Sequence, residues 1–331
     1  MKFYDTIIIG GGAAAYAAAI YSARYNMKTA LVEKAFGGET ATAGKIENYP
    51  GFKSIDGFEL MEKMKEQAVS LGVEVMEGEA KLVKNEYHCF QIKIGAETFQ
   101  SKTVILAMGM EHLELPIERA GELKSKGVHY CAICDGPLFK GKFVAVVGGG
   151  DSAVKAGNQL SDMGAKHVYM IVREEDLKRA EPINLDKLEE KVKAGRIMVL
   201  YETEIAELKG DKRLEAVKIS KKFEGKDELK LDGVFVEIGA TPRGELAEQL
   251  GVRLDAHGQI DVDPRACSTS IDGVFAAGDV TNASGGFKQI ITGAAQGAIA
   301  ATSAYKDVSE HGGACALHAK HISGLLPAPK S

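Results

Sequence analysis

Cys131-Ala132-Ile133-Cys134-Asp135 is the stretch of this chain with the most chemistry in it. Two cysteines two residues apart can close a small, reducible disulfide, and the carboxylate that follows can manage a proton. The spacing alone also admits a metal site. Position narrows the choice. The pair lies between two glycine-rich turns, Gly10-x-Gly12-x-x-Ala15 and Gly148-x-Gly150-x-x-Ala153. Each turn follows an apolar run and opens an alanine-containing helical stretch. In such a turn the first glycine permits the bend, and the second lets the backbone approach a pyrophosphate. The third small residue lets helix and strand pack closely, while the helix N-terminus offers N–H groups to the phosphates. A dithiol between two dinucleotide turns points to electrons passing from one cofactor to another and then to a disulfide.

The ribose ends of the two turns differ. Glu33 closes the apolar run Thr29-Ala30-Leu31-Val32-Glu33, where a carboxylate accepts hydrogen bonds from a ribose. After the second turn, Asp151 and Ser152 open the helix; Ser152 could donate to a phosphate or cap the helix. The next apolar run ends in Val172-Arg173-Glu174-Glu175-Asp176-Leu177-Lys178-Arg179. A 2′-phosphate needs cations, and Arg173, Lys178 and Arg179 are available. The three consecutive acids would repel that phosphate and could accept from a free ribose diol. A solvated turn of mixed charge is the other interpretation. The balance favours NADH over NADPH.

These elements must be positioned by βαβ units. The runs Asp5–Ile9 and Lys142–Val147 each lead into a turn, a helix and a second apolar run, so the architecture is expected twice. Parallel sheets covered by helices, an α/β fold, follow from it. A third element, Gly273–Asp279, is a short apolar strand ending in a carboxylate. A helix rich in alanine and glycine is expected from about Gln289 to Tyr305, and a mobile tail over 309–331. At 331 residues two domains are expected. A formal charge of -5 and a pI of about 6.0 argue against a nucleic-acid binder. No apolar run approaches the roughly 20 residues that span a bilayer, and the N-terminus leads into a strand without a signal-peptide core. Five cysteines form no secreted framework. A cytoplasmic location is expected.

Together the motifs resemble the low-molecular-weight thioredoxin reductases, over roughly residues 4–306. The resemblance rests on Gly10 to Ala15, Gly37-Gly38-Glu39-Thr40, Glu47-Asn48-Tyr49-Pro50-Gly51, Ala107-Met108-Gly109, Cys131 to Gly136 and Gly148 to Ala153. It extends to Gly273-Val274-Phe275-Ala276-Ala277-Gly278-Asp279 and Phe287-Lys288-Gln289. It implies two Rossmann-like domains, with the nicotinamide domain (117–243) inserted into a discontinuous FAD domain (1–116 and 244–308). FAD would be held by Gly10, Gly12, Ala14, Ala15, Glu33, Lys34, Gly38, Glu39, Thr40, Asn48, Met108, Gly109, Gly278, Asp279, Lys288, Gln289 and Ile290. NADH or NADPH would be held by Gly148, Gly150, Asp151, Ser152, Ala153, Arg173 and Arg179. The chain departs from the family at Glu39 (usually Gln), Met108 (commonly Thr) and Lys288 (commonly Arg). Val172-Arg173-Glu174 replaces a basic His-Arg-Arg segment, which bears on NADPH preference.

The resemblance also implies unequal catalytic roles. Cys134 would face the flavin, Cys131 would attack the partner's disulfide, and Asp135 would serve as acid and base. The partner would be thioredoxin or a glutaredoxin-like protein, and the enzyme a homodimer. The inserted domain would rotate about linkers near Leu115-Pro116 to Gly121 and Gly239 to Gly244. Alternatives are a flavoprotein with a ferredoxin or deazaflavin donor, a dithiol oxidase, or a non-catalytic zinc or redox-sensing module. No metal is expected. Cys315-x-x-His318-x-x-His321 supplies three ligands where a structural zinc takes four. Cys89 and Cys267 are expected to be structural, and Glu59 to Met64 an amphipathic helix.

Overall fold

Successive side chains of a strand point to opposite faces, so a strand buried on both sides must be apolar throughout. Phe3–Ile9 is apolar but for the half-buried Asp5 and the buried Thr6, and in the computed structural model, which describes residues 2–85, 89–285 and 287–310, it is the middle of a sheet. The chain divides into two compact units. One is built from the residues up to Met110 and from Pro242 onward; the other is Glu111–Thr241.

In the first unit, Phe3–Ile9 pairs in parallel with Thr29–Glu33 on one side and with Glu97–Leu106 on the other. Glu74–Glu77 extends the sheet beyond Thr29–Glu33, and Val274–Ala276 extends it beyond the end of Glu97–Leu106, both in parallel. The start of Glu97–Leu106 instead carries an antiparallel hairpin, Ala80–Asn85 with Phe90–Ile94. Register decides which residues meet. Ile8, Leu31, Ile105 and Phe275 face the helices Ala13–Arg24, Gly57–Ser70 and Ile290–Glu310. Ile7, Ile9, Ala30, Val32, Val104 and Val274 face the other side and pack with Leu246 and Ala247.

The small residues of Ala13–Arg24 have a packing purpose. The helix Ile290–Glu310 approaches so closely that a Cβ on Gly297 would lie 2.1 Å from the Ala14 carbonyl oxygen. This helix runs five residues beyond the expected end at Tyr305. The amphipathic segment around Glu59–Met64 is helical, with Leu60, Met61 and Met64 buried, and Asp56 caps it by accepting from the Phe58 N–H at 2.9 Å.

The second unit repeats the plan. Its five-stranded sheet is parallel throughout, in the order Val128–His129, Gly233–Val236, Phe143–Val147, His167–Ile171, Ile197–Leu200. Helices Asp151–Asp162 and Pro182–Lys193 lie against Val144, Val146, Val168 and Met170. The opposite face, with Ala145, Ile171, Val234 and Val236, is covered by a three-stranded antiparallel sheet formed by Ile205–Lys209, Ala216–Phe223 and Lys226–Lys230.

The chain crosses between units at Met110–Glu111 and Thr241–Pro242, a few residues before the expected boundaries at 116 and 243. Leu115 and Ala120, within the stretch expected as the first linker, lie in the core of the second unit. At the crossing, Met110–His112 pairs with Ala240–Pro242 as a two-stranded ribbon. No helix among the described residues is long and apolar enough to cross a membrane.

Candidate active site

The dithiol stands at the start of a single helical turn, Ala132–Asp135. Cys131 and Cys134 are joined as a disulfide, with Cα atoms 5.4 Å apart, and the Cys134 N–H donates to Cys131 Sγ at 3.1 Å. Cys131 is half-buried and Cys134 exposed. Two neighbours seat the turn. Ala132 and Phe139 are buried, and Gly136 lies so close to the helix Asp151–Asp162 that a Cβ there would meet Met163 Sδ at 2.6 Å.

Asp135 is paired with a residue that the sequence had not marked. His129 Nδ1 lies 2.6 Å from Asp135 Oδ2. The imidazole stacks on Phe235 and meets Phe139 edge-on. The only signal in the sequence is position: His129 sits two residues before Cys131 on an apolar strand, and nothing in the spacing ties it to Asp135.

The first glycine turn is built for close approach. Gly10 has φ +140°, and a Cβ on it would lie 2.1 Å from the Ala107 carbonyl oxygen, so only glycine fits. Gly12 is extended, and nothing lies within 4 Å of where its Cβ would stand. The helix that follows has no side-chain cap and no acid in its first turn, which leaves its N–H groups for an anion. Glu33 is buried, and its carboxylate accepts from Tyr16 Oη at 2.8 Å and from Lys65 Nζ at 2.7 Å. Burial, with Glu33 beside it, pushes the Tyr16 hydroxyl well above its usual range. Tyr16 and Lys65 escaped the sequence reading because a helix-face tyrosine and lysine carry no motif.

The other residues expected around FAD converge from distant stretches. Gly38 packs toward Gly12, and Gly278 toward Ala14. The Gly278 N–H donates to Gln296 Oε1 at 2.7 Å. Asn48 Nδ2 donates to Gln289 Oε1 at 3.0 Å, and Lys288 Nζ lies 3.4 Å from Met110 Sδ. Burial pushes the Asp279 carboxyl up; the Lys288 ammonium opposes this and Glu39 adds to it. Thr40 is buried, while Met108 packs partly buried against the core. Gly109 has φ +68°, and Ile290 opens the last helix. Lys34 is drawn instead to Glu79, 2.6 Å away at the surface. An uncapped helix N-terminus, an open glycine in front of it and a buried acid at the ribose end fit a dinucleotide such as FAD.

The second turn repeats the first almost atom for atom. Gly148 has φ +139°, a Cβ on it would lie 2.1 Å from the Glu237 carbonyl oxygen, and Gly150 faces open space. Ala153 is fully buried beneath the turn, and Ser152 is exposed without capping the helix. Asp151 is turned aside. Its Oδ1 accepts from the Glu181 N–H and Asn184 Nδ2, both at 2.9 Å, and its Oδ2 pairs with Lys155 at 2.7 Å. Burial works to raise this carboxyl, but Lys155 and the two donors outweigh it and hold it below the usual range.

The ribose ends diverge. A Cβ on Gly11 would lie 3.0 Å from Glu33 Cβ and one on Gly149 3.0 Å from Val172 Cγ1, so the apolar Val172 stands where the first site has its acid. Glu174 reaches the same spot from two residues further on, its Oε2 lying 3.0 Å from the Cβ position of Gly149. Its Oε1 accepts from Arg173 at 3.2 Å and Arg179 at 3.0 Å. Partial desolvation works against it, yet a backbone donor and the two guanidinium groups hold the Glu174 carboxyl below its usual range. Lys178 pairs with Asp176. Arg173, Lys178 and Arg179, the cations available to a 2′-phosphate, are thus each paired with a carboxylate.

Two parallel-sheet nucleotide turns and a disulfide carried by the second unit define a dinucleotide-dependent redox protein. Residues 4–297 match the family described as pyridine nucleotide-disulphide oxidoreductase, and the chain belongs to that family. It is similar to the thioredoxin reductase of Mycolicibacterium smegmatis, 40% identical over 93% of this chain and 97% of that one. The thioredoxin reductase of Bacillus subtilis is 38% identical over 93% of this chain and 96% of its own. A crystal structure of Lactococcus lactis thioredoxin reductase superposes with a TM-score of 0.85 at 36% identity, covering 93% of this chain and 99% of that one. Among the described residues no group of His, Cys, Asp and Glu could hold a metal ion. The tail motif at Cys315, His318 and His321 lies outside the described residues.

Proposed function

We propose that this chain is a thioredoxin-disulfide reductase that passes electrons from a pyridine nucleotide through FAD and the Cys131–Cys134 pair to a thioredoxin-like protein. The observation that carries this is the Cys131–Cys134 disulfide, formed at the start of a turn seated on the second dinucleotide unit, with Asp135 beside it. The similarity to thioredoxin reductases along nearly the whole chain supports it. In this reading the unit on either side of the insertion binds FAD, and Glu111–Thr241 binds the nicotinamide and carries the dithiol.

Bound FAD supplies a two-electron carrier between nicotinamide and sulfur. The protein's own residues do the rest. The turn at Gly10 and Gly12 and the helix after it hold the pyrophosphate, and Glu33 receives the ribose. Asp279 and the Gln289 backbone orient the flavin end. Cys134 receives the electrons, and Cys131 attacks the protein disulfide as a thiolate. Asp135 gives and takes the proton.

The preferred donor is NADH. Glu174, charged and held by Arg173 and Arg179, can accept from a ribose diol and repels a 2′-phosphate. The retained turn Gly148-x-Gly150-x-x-Ala153 supports a nicotinamide as donor. A homodimer and a cytoplasmic location complete the reading and rest on the family resemblance.

Anaerobic titration of the yellow holoenzyme with NADH and NADPH tests it. Bleaching of the flavin at lower NADH concentration is expected, followed by recovery of colour when oxidised thioredoxin is added. No bleaching with either nucleotide, or no recovery with any thioredoxin, would overturn it.

A further inference from the structure

His129 is an odd residue for its place. It occupies the edge strand of the second unit's sheet, opposite Phe235, and its side chain is 6% exposed. Core positions of this kind normally take an apolar group, because burying a polar one costs free energy unless it finds a partner. Its partner is Asp135, at 2.6 Å from Nδ1. Asp135 is the last residue of the dithiol turn, and His129 ends the strand Val128–His129, two residues before the first cysteine. The two groups therefore bracket the disulfide in sequence and meet beside it in space.

The ring is held from three directions. Phe235 stacks on it with centroids 5.4 Å apart and planes 28° apart, and Phe139 meets it edge-on at 5.1 Å and 77°. Asp135 fixes the third direction. Phe139 and Phe235 also contact each other at 5.2 Å, closing an aromatic box. Of the groups packed around the imidazole, Asp135 is the charged partner. The Lys142 ammonium lies over the Phe139 ring, 5.1 Å from its centroid. An imidazole fixed this firmly against a carboxylate sets both the orientation of that carboxylate and its net charge.

We infer that His129 is a positioning residue for the dithiol. It holds Asp135 in place and stores the proton that Asp135 exchanges with sulfur. The inference rests on the dithiol being the working redox centre. When the Cys131–Cys134 disulfide takes up two electrons, its S–S bond breaks and leaves two sulfur anions. One receives the single proton of the pair, which passes from the His129 imidazolium through Asp135 to sulfur. The result is one thiol, one thiolate, an ionised Asp135 and a neutral His129. In the return direction the Cys131 thiolate attacks a partner disulfide and releases one partner thiolate. Cys134 then loses its proton to Asp135, restoring the His129 imidazolium, and its thiolate attacks Cys131 Sγ of the mixed disulfide. This re-forms the Cys131–Cys134 bond and releases the second partner thiolate. Sulfur and electrons balance in each direction, and one proton shuttles within the pair.

The charge argument gives a sign. With His129 protonated, the Asp135 charge is offset and a nearby thiolate is tolerated. With a neutral residue at 129, the Asp135 charge stands alone and disfavours the thiolate. The thiolate is the form that alkylates. The test uses holoenzyme reduced with dithiothreitol, without nicotinamide or thioredoxin. Iodoacetamide labelling of Cys131 and Cys134 is followed by mass spectrometry between pH 5 and 9. The wild type should show a second inflection besides that of the thiol. His129→Asn keeps an amide donor toward Asp135 but cannot take up a proton. It should lose that inflection and label roughly tenfold more slowly at pH 6, converging with the wild type at pH 9. An Asn variant with the wild-type profile would mean that His129 only packs, and the inference fails. Should that variant not fold, Asp135→Asn decides: the second inflection must vanish there too, and its survival overturns the coupling. Because no nicotinamide or thioredoxin is used, failure here is separable from failure of the donor titration.

Discussion

At the scale of single residues, charge sets the chemistry. Asp135 is the group in direct line for proton transfer, so Asp135→Asn should lower turnover about 10²-fold with the flavin still bound, measured by thioredoxin-coupled steady-state kinetics. Glu174 is the residue on which the donor depends. It occupies both Arg173 and Arg179, so Glu174→Arg removes an acid and frees two guanidinium groups at once. The ratio of kcat/KM for NADPH to that for NADH should rise by roughly tenfold or more; an unchanged ratio would show that the ribose end lies elsewhere. The sequence displayed all of these charges but could not pair them. A run of Arg, Glu, Glu, Asp, Lys and Arg is ambiguous until the strand's end fixes which side chain turns back over Gly149.

At the scale of elements, close packing and helix ends dominate. A Cβ on Gly297 would lie 2.1 Å from the Ala14 carbonyl oxygen, so Gly297→Ala must push two helices apart. It should cost about 1–3 kcal/mol in urea denaturation. Asp151 joins the helix it opens to the start of Pro182–Lys193, through Glu181 and Asn184. Its carboxyl is held below the unfolded value of about 3.9. A lowered folded value contributes stability above that pH, and the contribution is lost as pH falls through the folded value. Asp151→Asn should therefore destabilise by about 1–2 kcal/mol at pH 7, and the difference from wild type should be smaller at about pH 2, below the unfolded value. Denaturation at the two pH values checks the sign. The βαβ repeat and the turns were legible as alternating apolar runs and glycines. The crossing at Thr241–Pro242 falls within the expected linker Gly239 to Gly244, whereas the one at Met110 was not legible, because Leu115 and Ala120 look like linker residues until the core they enter is known.

At the scale of the whole molecule, the fold joins stretches far apart in the chain. Val274–Ala276 completes the sheet begun by Phe3–Ile9, so the proposed FAD unit needs both ends of the chain, while Glu111–Thr241 closes its own sheet. A ligand that binds only the folded form stabilises by about 2.7 kcal/mol at a hundred times its dissociation constant. Adding FAD to apoprotein at that excess should raise stability by that amount. Slowed hydrogen exchange should be confined to the first unit, around Gly10–Ala15 and Gly278–Asp279; equal protection of Glu111–Thr241 would place the FAD elsewhere. By itself the sequence determined the class of machine, since a strand, a glycine turn and a helix are local and the CxxC pair carries its chemistry with it. Only the tertiary structure decided how the charges are spent: Glu33 on Tyr16 and Lys65, Glu174 on Arg173 and Arg179, Asp135 on His129. The reason is physical. A side chain's partner is chosen by distances of about 3 Å across elements, and those distances do not exist until the sheets and helices have packed.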